Sequence, residues 1–124
     1  MPNHIFVYGT LRKDQHANKL FGVEACAEYV STTTLPGSLY DLGAFPGYIP
    51  GEEGKVTGDV YELKDRSIIS DLDRYEGFDI RHPQQSLYIR RTAVCEDGTE
   101  VFVYVYNNPV NVVHRIPSGD WLVE

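Results

Sequence analysis

One glutamate in this sequence occupies a position where a carboxyl group could act as an acid or a base. The stretch DRSIISDLDRYE, residues 65–76, has apolar residues at helical spacing and ends at Glu76, directly before Gly77. A helix that ends there would place the Glu76 carboxylate at the negative end of the helix dipole, which raises its pKa toward the range useful for proton transfer. Alternatively, Glu76 is exposed at a frayed helix end, where the nearby Arg74 compensates its charge. On physical grounds alone this second outcome is the commoner one, because most glutamates lie on the surface.

The stretch HIFVYGTLRKD, near the N-terminus, raises a second possibility. An apolar run ends at Tyr8 and is followed by Gly9 and Thr10. This pattern predicts either an ordinary corner between a strand and a loop, or bare backbone presented to a ligand, because glycine permits close approach.

Motifs for several other chemistries are missing from the sequence. The four histidines are scattered, without the HExxH motif or another paired spacing, so a metal site has little support. The sequence also lacks a GxSxG elbow, a P-loop and a GxGxxG fingerprint. Cys26 and Cys95 lie far apart and have no CxxC spacing, and we interpret both as buried thiols.

The composition predicts a single domain, residues 1–124. The net charge of −7 argues against nucleic acid and anionic membrane surfaces as partners. No apolar run approaches the roughly 20 residues that span a bilayer, and the N-terminus has no signal-like apolar region. We therefore expect a cytoplasmic protein, and its oligomeric state is left open.

The elements that would position these residues are mostly strands. Hydrophobic patterning predicts strands at residues 4–8, 28–35, 38–43 and 55–63. The helix at 65–76 would have Asp65 as its N-cap and Gly77 after its C-terminus. We interpret residues 12–22 as a loop with a short helical turn closed by Gly22, and residues 44–54 as a structural loop.

A hairpin is expected near the C-terminus, because Asp97-Gly98 separates the strand-like stretches 86–96 and 99–107. Many strands around one helix predict an α+β domain. We expect a mainly antiparallel mixed sheet, curled into a small barrel, with few helices.

Six blocks of the sequence, in order, resemble the gamma-glutamylcyclotransferase-like superfamily, which includes gamma-glutamylamine cyclotransferases, plant avirulence-induced proteins and small bacterial homologues. The blocks are VYGTLR (7–12), LYDLGAFPG (39–47), GDVYEL (58–63), LDRYEG (72–77), VYVYN (103–107) and SGDWL (118–122). They cover nearly the whole chain, and SGDWL is most similar to the small bacterial members. The resemblance implies the gamma-glutamyl cyclotransferase-like fold.

The resemblance also implies a site. Backbone N–H groups of Tyr8, Gly9, Thr10 and Leu11 would bind the α-carboxylate of a γ-glutamyl substrate, with unusual dihedrals at Gly9. Glu76 would be the catalytic acid and base. The substrate's own α-amine would attack its γ-carbonyl, giving 5-oxoproline and a released amine. This reaction needs no metal and no cofactor.

The resemblance places several aromatic residues near the cavity: Tyr40, Tyr88, Tyr104 and Tyr106. We predict Tyr88 and Tyr106 as substrate-binding residues, although packing within the sheet explains each tyrosine equally well. Arg12 is expected to be solvated, and Trp121 to anchor the C-terminal tail.

The activity implied is that of a gamma-glutamylcyclotransferase, with gamma-glutamylamine cyclotransferase favoured. A non-catalytic small-molecule binding module of the same fold is the alternative. The leaving amine stays open, since glutathione, γ-glutamyl amino acids and ε-(γ-glutamyl)lysine share one glutamyl end. Residues 43–54 and 78–87 are expected to shape the other end.

Overall fold

The computed structural model describes residues 2–13, 15 and 26–123, and its main element is a five-stranded mixed sheet. The sheet consists of β1 (His4–Val7), β2 (Ala27–Pro36), β5 (Lys55–Leu63), β6 (Tyr88–Val94) and β7 (Glu100–Tyr106). Its strand order is β2-β5-β1-β7-β6. β1 pairs in parallel with β7, whereas the other neighbouring pairs are antiparallel. The predicted α+β class with a mixed, mainly antiparallel sheet is therefore confirmed.

The central strand β1 is covered on both faces, as its continuous apolar sequence predicts. Ile5 and Val7 pack into one hydrophobic cluster, and Phe6 and Tyr8 pack into a second cluster on the opposite face. The first cluster contains residues of helix α1 (Ile68–Glu76), such as Leu72. The second contains residues of a separate two-stranded sheet, β3 (Ser38–Asp41) and β4 (Pro46–Ile49). The chain thus covers its main sheet with a helix on one face and a hairpin on the other.

The expected small barrel is wrong. Closure would need a continuous ladder between the edge strands β2 and β6. Within the described residues the only backbone hydrogen bond between these regions runs from the Glu96 N–H, just beyond β6, to the Thr34 carbonyl. The sequence of one strand cannot reveal whether the two edge strands of a sheet pair with each other. Apolar and polar residues alternate in the same way along a paired and an unpaired edge strand.

Helix α1 begins later than predicted and ends where predicted. Asp65 does not cap it directly; the Asp65 carboxylate accepts hydrogen bonds from the N–H and hydroxyl of Ser67, which is the N-cap residue. At the other end Gly77 adopts φ 70°, and its N–H donates to the Arg74 carbonyl. This left-handed cap confirms the predicted helix stop and directs the chain away immediately after Glu76.

Residues 44–54 are not simply a loop, because β4 lies inside them and pairs with β3. Pro46 is the first residue of β4, a position where a missing N–H is tolerated. The two prolines and three glycines of this stretch hide the strand in the sequence. β3 correspondingly ends at Asp41 rather than at residue 43.

The remaining predicted elements are β5, the turn at Asp97-Gly98 and the helical turn within residues 12–22. β5 spans the predicted residues, and Asp97-Gly98 turns between β6 and β7, with Gly98 at φ 90°. The predicted helical turn within residues 12–22 lies mostly outside the described residues. Both thiols are free, but Cys26 is only partly buried, whereas Cys95 is buried. In the part of the chain that is described, no helix is long and apolar enough to cross a membrane.

Candidate active site

A cavity of about 270 Å³ opens at the end of β1. Its walls come from four places in the chain: the end of β1 with the following loop (residues 6–11), the start of β4 (residues 45–46), the end of α1 (residues 75–76) and the C-terminal hairpin with the residue before it. The hairpin side contributes Leu87, Tyr88 and Tyr104. The loop after β1 and the end of α1 at Glu76 therefore meet at one cavity.

Glu76 is the charged residue of the described cavity wall, and its carboxyl group has a perturbed pKa. Burial raises the pKa of Glu76 from 4.5 to about 7, because the charged form loses contact with water. Burial is the one cause, since no hydrogen bond or opposite charge within the described residues offsets it. A carboxyl group with this pKa is present in both protonation states near neutral pH, as a residue that both accepts and donates a proton requires.

The loop after β1, residues 8–11, forms the wall beside Glu76. Its glycine packs closely against protein, and a close approach of a ligand to the Gly9 backbone stays a prediction. Gly9 has no left-handed φ, so the unusual dihedrals expected there are wrong. Instead, a Cβ atom at Gly9 would lie 2.7 Å from Cδ and Cγ of Pro46. The bare backbone of Gly9 therefore lets β4 approach the loop and complete the wall.

Tyr8 and Thr10 fix this loop to other elements. The Tyr8 hydroxyl donates to the Tyr104 carbonyl at 2.6 Å and accepts from the Tyr48 N–H at 3.3 Å. Burial raises the pKa of Tyr8, so its phenol stays neutral. The hydroxyls of Thr10 and Tyr75 share a hydrogen bond of 3.0 Å, which joins the loop to the last turn of α1.

The four candidate tyrosines have different places. Tyr88 and Tyr104 line the cavity. The Tyr88 hydroxyl donates to the Pro46 carbonyl at 2.6 Å. Tyr106 is not on the described cavity wall; its ring packs edge-on against Tyr88, with centroids 5.4 Å apart, and supports it from behind. Tyr40 also lies elsewhere and donates to Glu52 at 2.8 Å.

Six wall residues were not named individually in the sequence: Phe6, Val7, Phe45, Pro46, Tyr75 and Leu87. Three of them, Phe45, Pro46 and Leu87, lie within the stretches 43–54 and 78–87 that were expected to shape the other end of the substrate site. Phe45 and Pro46 fall in the stretch interpreted as a structural loop, and they reach the site only through the pairing of β4 with β3. The position of Tyr75 next to Glu76 was the available signal, but the helical pattern placed it with the core residues. It is instead an exposed residue beside the cavity.

Asp73 holds the helix that carries Glu76. Its two carboxylate oxygens each accept a hydrogen bond of 2.6 Å, one from the Tyr104 hydroxyl and one from Arg90. Asp73 lies three residues before Glu76, so these bonds tie the last turns of α1 to β6 and β7. The orientation of Glu76 thus depends on strands far away in the sequence.

Arg12, expected to be solvated, is buried. Its guanidinium donates to both carboxylate oxygens of Asp59, at 3.2 and 3.3 Å, and to Asp120 at 2.6 Å. Asp59 also accepts from the Lys13 N–H. This cluster anchors the loop after β1 to β5 and to the C-terminal segment. Trp121 of that segment is partly buried against the second hydrophobic cluster, in keeping with the predicted anchor.

The comparison with protein families matches residues 5–123 to the family described as gamma-glutamyl cyclotransferase, AIG2-like. The chain belongs to this family. The resemblance noted in the sequence is thereby confirmed. The gamma-glutamyl cyclotransferase family protein YtfP of Escherichia coli K12 is 33% identical, and the match covers 95% of each chain.

Solved structures agree with the fold. The solution structure of ytfP from Escherichia coli is 31% identical, with a TM-score of 0.71, and the match covers 97% of this chain and 96% of that one. The crystal structure of an AIG2-like protein from Mus musculus is 24% identical, with a TM-score of 0.74, over 95% and 86% of the two chains. The mouse comparison bears on the fold alone.

The described residues contain no group of three or more His, Cys, Asp or Glu side chains placed to hold a metal ion. The described wall offers one carboxyl group of raised pKa, the loop of residues 8–11 beside it and an aromatic surround.

Proposed function

We propose that this chain cyclises the γ-glutamyl group of a small γ-glutamyl amine or peptide to 5-oxoproline and releases the free amine. Membership of the gamma-glutamyl cyclotransferase family supports the reaction class. The observation that carries the assignment of the site is the position of Glu76, a carboxyl group with a pKa of about 7 in a cavity beside the loop of residues 8–11.

In the proposed mechanism, backbone of the loop of residues 8–11 receives the substrate's α-carboxylate and Glu76 serves the α-nitrogen. Glu76 takes a proton from the α-ammonium, and the resulting amine attacks the γ-carbonyl carbon to close a five-membered ring. Glu76 then gives this proton to the departing nitrogen as the bond between that nitrogen and the γ-carbon breaks. The second proton that the α-nitrogen loses ends on the released amine, which becomes an ammonium ion in water.

The geometry suits an intramolecular reaction. Nucleophile and electrophile belong to one molecule, so the protein contributes mainly by folding the substrate and excluding water. Tyr88 and Tyr104 would pack against the folded glutamyl chain, and Tyr106 would hold Tyr88 in place.

The test compares the natural chain with Glu76→Gln on a panel of γ-glutamyl amines and peptides. Mass spectrometry measures the 5-oxoproline that each protein forms. The amide keeps the size of the side chain but carries no transferable proton, so kcat should fall by about 10²–10⁴-fold. Glu100→Gln, at an exposed position of β7, is the matched control and should keep full activity. Unchanged turnover by Glu76→Gln would refute the catalytic role, and a panel without any 5-oxoproline would refute the function.

A further inference from the structure

The side-chain hydroxyls on the described cavity wall are already committed to protein partners. The hydroxyl of Tyr8 bonds to the Tyr104 carbonyl, that of Tyr88 to the Pro46 carbonyl, and that of Tyr104 to Asp73. Those of Thr10 and Tyr75 bond to each other. Each oxygen keeps some capacity to accept a hydrogen bond. The protons of the Tyr8, Tyr88 and Tyr104 hydroxyls are used in these bonds, and within the Thr10–Tyr75 pair one hydroxyl donates and the other accepts. The wall therefore offers a ligand few side-chain donors.

Charge on the described wall is confined to Glu76. The other wall residues are apolar, aromatic, or hydroxyl-bearing as above, and none of them is lysine, arginine or histidine. The nearby cation Arg90 is engaged with Asp73 at 2.6 Å and packs over the rings of Phe78 and Phe102. An anionic group away from the loop of residues 8–11 would thus find no opposite charge on this wall.

The proposed function places the polar parts of the substrate. The α-carboxylate lies on the loop of residues 8–11, and Glu76 must reach both the α-nitrogen and the leaving nitrogen. The substituent on the leaving nitrogen then meets the rest of the wall, which is largely apolar and includes Phe45, Pro46 and Leu87. Leu87 is 38% exposed and marks the outer edge of this apolar part.

We infer that the leaving amine carries a small alkyl or aryl substituent without an anionic group, and that γ-glutamyl amino acids and peptides are poor substrates. This inference rests on the proposed function. A carboxylate on the leaving side would lose hydration against Phe45 and Leu87 without gaining an opposite charge on the described wall, which is costly. The cavity of about 270 Å³ also lies at the small end of ligand sites, so a compact amide fits it.

A matched pair of compounds tests the inference. γ-Glutamyl-isobutylamide and γ-glutamylglycine differ only in an isopropyl group against a carboxylate of nearly the same shape. We expect kcat/KM for the isobutylamide to be at least about tenfold higher, because an unpaired charge is rejected more strongly than a change of shape.

Substitution of Leu87 locates the effect. Its backbone N–H donates to the Gly77 carbonyl and its own carbonyl accepts from the Asn107 N–H, so the backbone should stay in place when the side chain changes. Leu87→Lys adds an ammonium at the edge of the cavity and should shift the ratio of kcat/KM values toward γ-glutamylglycine by at least about fivefold. Leu87→Met, which is uncharged, should leave that ratio near the natural value. Thermal unfolding checks that both variants are folded.

The outcomes separate the two levels. Comparable or higher kcat/KM for γ-glutamylglycine in the natural chain overturns the inference while the proposed function stands. An equal shift of the ratio in Leu87→Lys and Leu87→Met also overturns it, because the discrimination would then not depend on charge at this wall. If no compound yields 5-oxoproline, the proposed function fails and the inference fails with it.

Discussion

Glu76 is held in the folded chain at a cost in stability. A carboxylic acid loses its proton far more easily in water than in a buried site, and burial raises the pKa of Glu76 to about 7. The helix dipole acts in the same direction, although burial is the cause found in the structure. A residue that weakens the fold in its ionised form and lines a cavity is typical of a functional site.

The pH dependence of stability measures this cost. The native state binds the Glu76 proton more tightly than the unfolded chain does, since the pKa is about 7 against 4.5. Its contribution to stability is therefore complete below pH 4.5 and is lost as the pH rises through 7. Glu76→Gln does not titrate, so it should gain stability relative to the natural chain between pH 5 and pH 8, by at most on the order of 3 kcal/mol.

Urea unfolding of both proteins at pH 5 and pH 8 gives this difference directly. Other titrating groups are common to the two proteins and cancel. A free-energy difference between the two proteins that is the same at both pH values would show that Glu76 ionises normally in the fold.

Gly9 leads to a different kind of test, because its neighbour is protein. A methyl group at Gly9 would meet Pro46 at 2.7 Å. Gly9→Ala should therefore destabilise the chain by about 1–3 kcal/mol, as overpacking does. Pro46→Ala removes the two atoms that clash, so the double variant should lose less stability than the two single changes added together. Chemical denaturation of the four proteins gives the coupling energy.

Binding of 5-oxoproline by calorimetry completes the Gly9 experiment. If the loop receives the ligand's carboxylate, Gly9→Ala should bind 5-oxoproline weakly, because the close contact with Pro46 displaces the loop, and the double variant should regain binding together with stability. Normal binding by a destabilised Gly9→Ala variant would contradict a ligand role for the loop. Gly9→Val should show the same pattern more strongly, since a β-branched side chain is larger and stiffer.

At the scale of elements, the decisive feature is how the end of α1 is held over the cavity. Gly77 stops the helix, and the Asp73 carboxylate fixes its last turns through Tyr104 and Arg90. Asp73 itself is not on the described wall, so its role is to position Glu76.

Asp73→Asn should lower kcat/KM by roughly 10- to 100-fold, because a small displacement of the reacting group is costly. The amide loses its charge and cannot accept from both Tyr104 and Arg90 as the carboxylate does. A displaced Glu76 would be better hydrated, so the acidic limb of the pH profile should also move to lower pH. Asp71→Asn, on the exposed side of the same helix, is the control and should change neither quantity. A fall in kcat/KM with an unmoved pH profile would contradict the positioning role.

The sequence predicted those elements that depend on local interactions. β5 follows from its alternation, the turn at Asp97-Gly98 from the backbone preference of glycine, and the end of α1 from Gly77. These features can be recognised within a few residues of chain. Glu76 and the loop of residues 8–11 were found in the same way, and the family resemblance connected them.

What the sequence did not predict depends on contacts between distant residues. β4 becomes a strand only because β3 pairs with it, and Phe45 then reaches the cavity. Tyr88 and Tyr106 face each other in adjacent strands, yet only Tyr88 lines the described wall. The prediction of a small barrel was wrong for the same reason, since closure requires pairing between the two edge strands of the sheet.

For the molecule as a whole, the ion cluster around Arg12 connects its two ends. Arg12 follows the first strand, Asp120 lies near the C-terminus, and Asp59 is in β5 between them. Arg12 and Asp59 are almost fully buried, with 6% and 3% of their surfaces exposed. Such a cluster contributes little when complete but is costly to break, because each remaining buried charge loses its opposite charge.

Arg12→Met should therefore destabilise the chain by roughly 3–5 kcal/mol, since it leaves the carboxylates of Asp59 and Asp120 without their opposite charge. The methionine preserves much of the apolar volume, so the loss reports the missing charge rather than a cavity. Asp120→Asn should cost less, because Arg12 keeps both hydrogen bonds to Asp59. Lys55→Met breaks an ion pair of similar length, 2.8 Å to Glu96, whose side chains are 65% and 57% exposed, and is the matched control.

Burial is the variable that separates the Arg12 and Lys55 substitutions. An exposed pair is screened by water, so Lys55→Met should change the free energy of unfolding by less than about 1 kcal/mol. Denaturant unfolding of the natural chain and the three variants, at one pH and one salt concentration, gives the comparison. A cost for Arg12→Met as small as that for Lys55→Met would mean that the cluster does not hold the two ends together. The predicted large cost, with weaker binding of 5-oxoproline by Arg12→Met, would mean that the ion cluster helps to hold the loop of residues 8–11 at the cavity.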